Sequence, residues 1–182
     1  YIIIVLSAII ILAIAVAVQS PRFSRLLDFS SGTNFYRLRV WESAIDMIQD
    51  YPITGIGLDQ FLSKFRGHYI RPDAWQEPNL SHPHNILLDY WLQLGIGGVL
   101  VLIFIQYGFW KSLWQPYKIN LYANNRFQTI LIIGAMGSMT NLITHGLIDN
   151  SVYVNDLVYV FMFLIAIAAN EKSLQLINDA NR

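Results

Sequence analysis

The sequence predicts an all-α, polytopic integral membrane protein with four spans and a helical external loop. Two observations carry this. Charged residues make up only 13% of the 182 positions, with apolar residues at 54%, whereas a soluble domain carries about a quarter charged residues. The charges are also segregated. Residues 1–18 contain none, while residues 19–85 hold seven basic and seven acidic side chains of the chain's twelve and twelve. A zero net charge without a Lys or Arg run offers nucleic acid no attractive field, and the absence of cysteine excludes disulfides and thiolate metal sites.

Residues 1–18, YIIIVLSAIIILAIAVAV, form the first expected span, because roughly 18 to 20 apolar residues at 1.5 Å rise cross a hydrocarbon core. Ala15-Val16-Ala17 has the small-residue form of a cleavage site, but the run lacks a basic n-region and exceeds a usual signal-peptide core. Starting at Tyr1 in mid-span, the chain looks like the C-terminal part of a larger membrane protein.

The second span is expected over 86–110, ending at Lys111, and the third over 128–148. A short external turn and a fourth span fill 149–170, and 171–182 form a cytoplasmic tail. The connection 111–127 carries Lys111, Lys118 and Arg126 without an acid, whereas Asp149 and Asp156 flank the next turn without a base. The positive-inside rule therefore places the first in the cytoplasm and the second outside, which puts 19–85 outside too.

Within that loop, Tyr36, Val40, Trp41, Ala44, Ile45 and Ile48 recur at helical spacing, Asn34 is a candidate N-cap, and Tyr51-Pro52 stops the helix. A turn at Pro52, Gly55 and Gly57 precedes a second short helix over 58–65, and residues 67–83 are expected to be irregular. Pro-Ile-Thr-Gly-Ile-Gly lacks the Gly-Lys-Ser/Thr of a phosphate loop. The chain also has no Gly-x-Ser-x-Gly elbow and no His-Glu-x-x-His.

The polar candidates are few. His82-Pro83-His84-Asn85 allows three readings: a general base, a metal site drawing on His68 or Asp73, or polar residues where the chain meets lipid. Arg37 and Arg39 lie near the start of the loop helix, where the dipole does not favour cations. They suit either an anion or a surface partner such as Glu42 or Asp46. Asn141, Thr144, His145 and Asp149 give the third span one polar face, and Asp89 sits on the shoulder of the second. A transporter subunit with Asn141, Thr144 and His145 lining a permeation path is the alternative to an enzyme.

Taken in order, Arg37-x-x-x-Trp41, Tyr51-Pro52-Ile53-x-Gly55-x-Gly57-x-x-x-Phe61, His84-Asn85 and Gly95-x-x-Gly98 resemble the C-terminal domain of O-antigen ligases and O-antigen polymerases. His145-Gly-Leu-x-Asp149 resembles the final part of that domain. The resemblance implies a C-type glycosyltransferase-like membrane enzyme without a required metal or other cofactor. Such an enzyme moves a glycan from an undecaprenyl-diphosphate donor to a lipid-anchored sugar acceptor, lipid A core or another carrier-linked chain, at the outer face of the bacterial inner membrane. It implies Arg37 as a diphosphate ligand and His84 as activator of the acceptor hydroxyl. Arg39, Arg66, Arg71, Asn85, His145 and Asp149 are further candidates for binding the diphosphate or glycan.

Overall fold

The computed structural model describes residues 30–74, 79–149 and 155–180, and among these the chain is helical with no strand. Helix α1 is Gly32–Asp50. Helix α2, Phe61–Lys64, continues into a π turn, Phe65–Tyr69, followed by a 3-10 turn, Pro72–Ala74. Helices α3, Ile86–Tyr122, α4, Arg126–Gly146, and α5, Asn155–Ala180, complete the chain.

Helix α1 begins after Ser31, three residues before the expected Asn34 cap, and its buried stripe is Val40, Ser43, Ala44 and Met47. Pro52 cannot continue a helix, and the chain leaves α1 with Tyr51 N donating to Met47 O at 2.9 Å. The stripe packs with Phe61, Phe65 and Leu92 in one apolar cluster. Leu102, Phe109 and Leu113 of α3, Ile132, Met139 and Leu142 of α4, and Phe161 and Leu164 of α5 build a second. Because α3 contributes to both clusters, the loop elements are fixed to the bundle.

Helix α3 is not one straight rod. Gly95 has φ 65° and ψ −160°, far from helical values, and a Cβ at Gly98 would overlap the Tyr90 carbonyl. Residues eight apart in a straight helix are about 12 Å apart along the axis, so segment 86–94 is folded sharply against 96–122. The break is filled by the turn after α1. Ile56 N donates to Leu92 O (2.6 Å), Ile96 N to Pro52 O (3.3 Å), and Trp91 Nε1 to Pro52 O (2.9 Å). Glycine is required on both sides. Gly55 and Gly95 have positive φ, and a Cβ on either would overlap backbone of the other segment.

Beyond the break, α3 passes Lys111 and Pro116 without interruption, so the stretch expected as a connection from 111 is helical to Tyr122. Charge at Lys111 marks a change of solvent, which a helix can cross unbroken. Helices α3 and α4 are each long and apolar enough to cross a membrane; the apolar part of α5, Leu157–Glu171, is shorter. The first expected span, 1–18, lies outside the described residues. Phe104, Ile130 and Phe163, on three different helices, are each at least 65% exposed. An apolar surface is therefore spread over α3, α4 and α5, as is expected of a membrane protein.

Candidate functional site

The site forms where the loop enters α3. Asn85 caps that helix, its Oδ1 accepting from Leu87 N (3.0 Å) and Leu88 N (3.1 Å), while its Nδ2 donates to Leu147 O at 2.8 Å. The amide expected to touch substrate is therefore engaged in joining the start of α3 to the turn after α4. Pro83 is buried, and its carbonyl accepts from Trp41 Nε1 of α1 at 2.9 Å. Between these anchors His84 adopts φ +52°, a left-handed conformation that costs a non-glycine residue about 1 to 3 kcal/mol and persists only where surroundings fix it.

The outcome is a polar contact across 65 residues of sequence: His84 Nδ1 lies 2.7 Å from Asp149 Oδ1. Asp149 reaches this position through the turn that ends α4, where its N–H and that of Ile148 both donate to the His145 carbonyl (2.8 and 3.0 Å). Gly146 lets the two helix ends approach, since a Cβ there would already press on Ile86 at 3.3 Å. A carboxylate only accepts, so this contact places a proton on His84 Nδ1, and in the neutral ring Nε2 presents its lone pair. Both side chains remain partly open to solvent.

His82 stands edge-on to His84 with ring centroids 4.6 Å apart, and Ser81 Oγ meets its Nδ1 at 2.9 Å. Burial, helped by the neighbouring His84, pushes the His82 imidazole below its ordinary pKa, with Asp149 opposing. One donor atom from each of His82, His84 and Asp149 lies within 4.8 Å of the others. The other residues considered for metal binding are elsewhere engaged. Asp73 pairs with Arg39, and His68 is edge-on to Tyr69.

The arginines divide by their partners. Arg39 Nη1 bonds both Glu42 oxygens (3.1 and 2.8 Å), and its Nη2 bonds Asp73 at 2.9 Å. Those carboxylates, Glu42 first, raise its pKa further against the opposing effect of burial. Arg71 bonds Asp46 and lies 3.9 Å from Glu42. With Ser43 Oγ donating to Tyr69 O (2.7 Å) and Tyr69 Oη to Asp50 (2.5 Å), this network straps the π and 3-10 turns to α1. Arg66 is exposed on the π turn. Arg37 forms no ion pair among the described residues. It lies one turn before Trp41 on the same helix face, and Trp41 is the residue bound to Pro83 beside His84.

On α4, Thr140 and Thr144 donate to the carbonyls of Met136 and Thr140 (2.9 and 2.7 Å), which satisfies their hydroxyls within the helix and gives a permeation path no specific support. His145 is exposed on the last turn and serves Asp149 through its carbonyl. The sequence pattern placed Asp149 on a face with His145. Its partnership with His84 and the role of Trp41 as an anchor depend on which helix ends meet, for which spacing carries no signal.

A family model described as O-antigen ligase matches residues 1–103. The chain belongs to the O-antigen ligase family. Membership makes it part of a glycosyl-transferring membrane enzyme of the ligase or polymerase type, handling lipid-linked sugars. No curated protein and no solved structure matches it significantly. The O-antigen ligase match covers Arg37, Trp41, the His82–Asn85 segment and the Gly95 break but ends before α4, so the pairing of the candidate Asp149 with His84 rests on the structure.

Proposed function

We propose that this chain provides the catalytic region of an O-antigen ligase that transfers a glycan from undecaprenyl diphosphate to a sugar hydroxyl on a lipid A core or similar lipid-anchored acceptor. The reading that goes with it is a C-type glycosyltransferase-like arrangement of four spans in the bacterial inner membrane, with 19–85 on the periplasmic face. The observation that carries it is the His84–Asp149 contact at 2.7 Å.

A sugar hydroxyl is a poor nucleophile at neutral pH and needs a base within about 3 Å in the transition state. His84 Nε2 takes the hydroxyl proton as the acceptor oxygen bonds to the anomeric carbon. The bond from that carbon to the phosphate oxygen breaks, and the electron pair leaves with the diphosphate. Asp149 holds the imidazole in the required tautomer and stabilises the imidazolium that forms, which makes it a positioning residue. Charge growing on the diphosphate calls for a cation. Among the described residues Arg37, unlike Arg39 and Arg71, pairs with no carboxylate, and a guanidinium matches paired phosphate oxygens. Polymerisation would use the same donor chemistry with a carrier-linked acceptor.

The test is complementation of a deletion strain with Arg37→Ala and His84→Ala. Both proteins should reach the membrane while surface polysaccharide disappears and carrier-linked glycan accumulates. Normal surface polysaccharide in both strains would sink the proposal, and the acceptor left unmodified distinguishes ligase from polymerase.

A further inference from the structure

The proposed transfer step uses His84 and Asp149 but leaves His82 without a task, although the chain spends a left-handed backbone conformation at His84 to stand the two imidazoles together. Two imidazoles and a carboxylate are a donor set of borderline softness, suited to zinc and its neighbours and poorly suited to magnesium or calcium, which take oxygen. The three come from two chain segments already tied by Asn85 Nδ2 to Leu147 O, with Pro83 between the histidines held by Trp41. The two segments that carry the donors are therefore held together before any ion arrives.

The dimensions are close. Zinc holds imidazole nitrogen and carboxylate oxygen at about 2.0 to 2.2 Å, so donors on one tetrahedral ion sit roughly 3.3 Å apart. The His84 and Asp149 donors, at 2.7 Å, would open by about 0.6 Å, and a donor separation at the 4.8 Å limit would close by about 1.5 Å, to reach that tetrahedral spacing. Torsion of side chains that are only partly buried supplies such shifts without moving backbone.

We propose that His82, His84 and Asp149 form a binding site for a zinc-class divalent cation, and that its occupancy silences the base. The second half rests on the role given to His84 above. Coordination through Nε2 occupies the lone pair needed for the acceptor proton. Coordination through Nδ1 displaces the contact with Asp149 and moves the imidazole proton to Nε2, which then can only donate. Either geometry stops proton abstraction, and removal of the ion restores it.

The experiment titrates zinc chloride into the full-length detergent-purified protein after chelator treatment, with bound zinc and glycan transfer measured in parallel. We expect one zinc per chain and transfer falling in step with occupancy. Excess EDTA should restore transfer, and millimolar magnesium should not displace the zinc. His82→Ala should still transfer without zinc, while its half-inhibiting zinc concentration rises at least about tenfold, since loss of even a supporting contact costs that much metal affinity. His82→Asn, which keeps a polar side chain, guards against a folding defect and should show the same rise. Absence of stoichiometric zinc on the wild type, or a zinc affinity equal to wild type in both His82 variants, overturns the site. Stoichiometric zinc with undiminished transfer overturns the silencing. The binding readout stands apart from activity, so failure of the base assignment would show as normal transfer by His84→Ala whatever the zinc result.

Discussion

Replacing Asp149 by Asn tests how the imidazole is used, because it keeps the size of the side chain and removes its charge. In the wild type the carboxylate accepts from His84 Nδ1 at 2.7 Å. A charge-assisted hydrogen bond contributes about 1.5 to 3 kcal/mol and a neutral one about 0.5 to 1.5. As the proton moves to His84 in the transition state, the lost difference is roughly 1 to 2 kcal/mol, reduced toward the lower figure by the 41% exposure of the Asp149 side chain. At 1.36 kcal/mol per decade this is about a five- to tenfold fall in kcat. An amide that turns its NH2 toward Nδ1 also favours the wrong tautomer, which extends the fall toward the roughly hundredfold floor of losing general-base catalysis. Steady-state transfer from a carrier-diphosphate glycan in proteoliposomes should show the loss in kcat with the donor KM unchanged, since the role proposed for Asp149 acts through the base. Asp149→Glu should recover part of the rate. An Asp149→Asn protein with wild-type kcat would rule out a positioning role for Asp149, and a loss confined to the donor KM would make it a substrate ligand.

Arg37→Ala should raise the donor KM by at least about tenfold, the scale of one charge-assisted contact, whereas Arg39→Ala should leave donor KM unchanged and lower the denaturant midpoint only slightly, as for exposed ion pairs; kinetics and denaturant midpoints separate the two. Gly95→Ala should destabilise by about 3 kcal/mol or more, because a left-handed alanine and three displaced hydrogen bonds add together. A thermal midpoint equal to wild type would contradict the plugged break at Gly95. Trp41→Phe keeps an aromatic ring but removes the indole donor to Pro83 O and should cost at least about 1 kcal/mol, with kcat falling more than donor KM rises. Tyr69, whose bond to Asp50 chiefly pushes its pKa from 10 up to about 12, keeps its proton better folded than unfolded. Its contribution is therefore complete below pH 10 and lost as pH rises through about 12, and melting scans should show that loss in wild type but not in Tyr69→Phe.

The helical class and the membrane setting were legible because apolar runs and charge segregation act over tens of residues. The bend at Gly95 was not, since Gly-Ile-Gly-Gly within an apolar run reads equally as small residues in a straight span. Only the arrival of Pro52–Ile56 at the broken backbone distinguishes the two. Lys111 was a sound marker of where apolarity stops and a poor marker of where α3 ends. The loop helix was visible in its spacing, but its start moved to Gly32 because Asn34 falls inside the first turn. Among the arginines, Glu42 three residues after Arg39 announced a local pair. The pairing of Arg71 with Asp46 needed the π turn to bring it back. His84 stood out through its motif, yet Asp149, which gives it a defined tautomer, lies 65 residues away and could be assigned only once the ends of α3 and α4 were seen together.

The central claim is that His84 abstracts the acceptor proton, and the most direct measurement is single-turnover transfer by the purified full-length protein carrying His84→Ala, with donor binding measured on the same preparation. With His84 as the base, donor affinity should stay within about twofold of wild type while the transfer rate falls by about 10² to 10⁴. An undiminished rate at equal donor occupancy would contradict it.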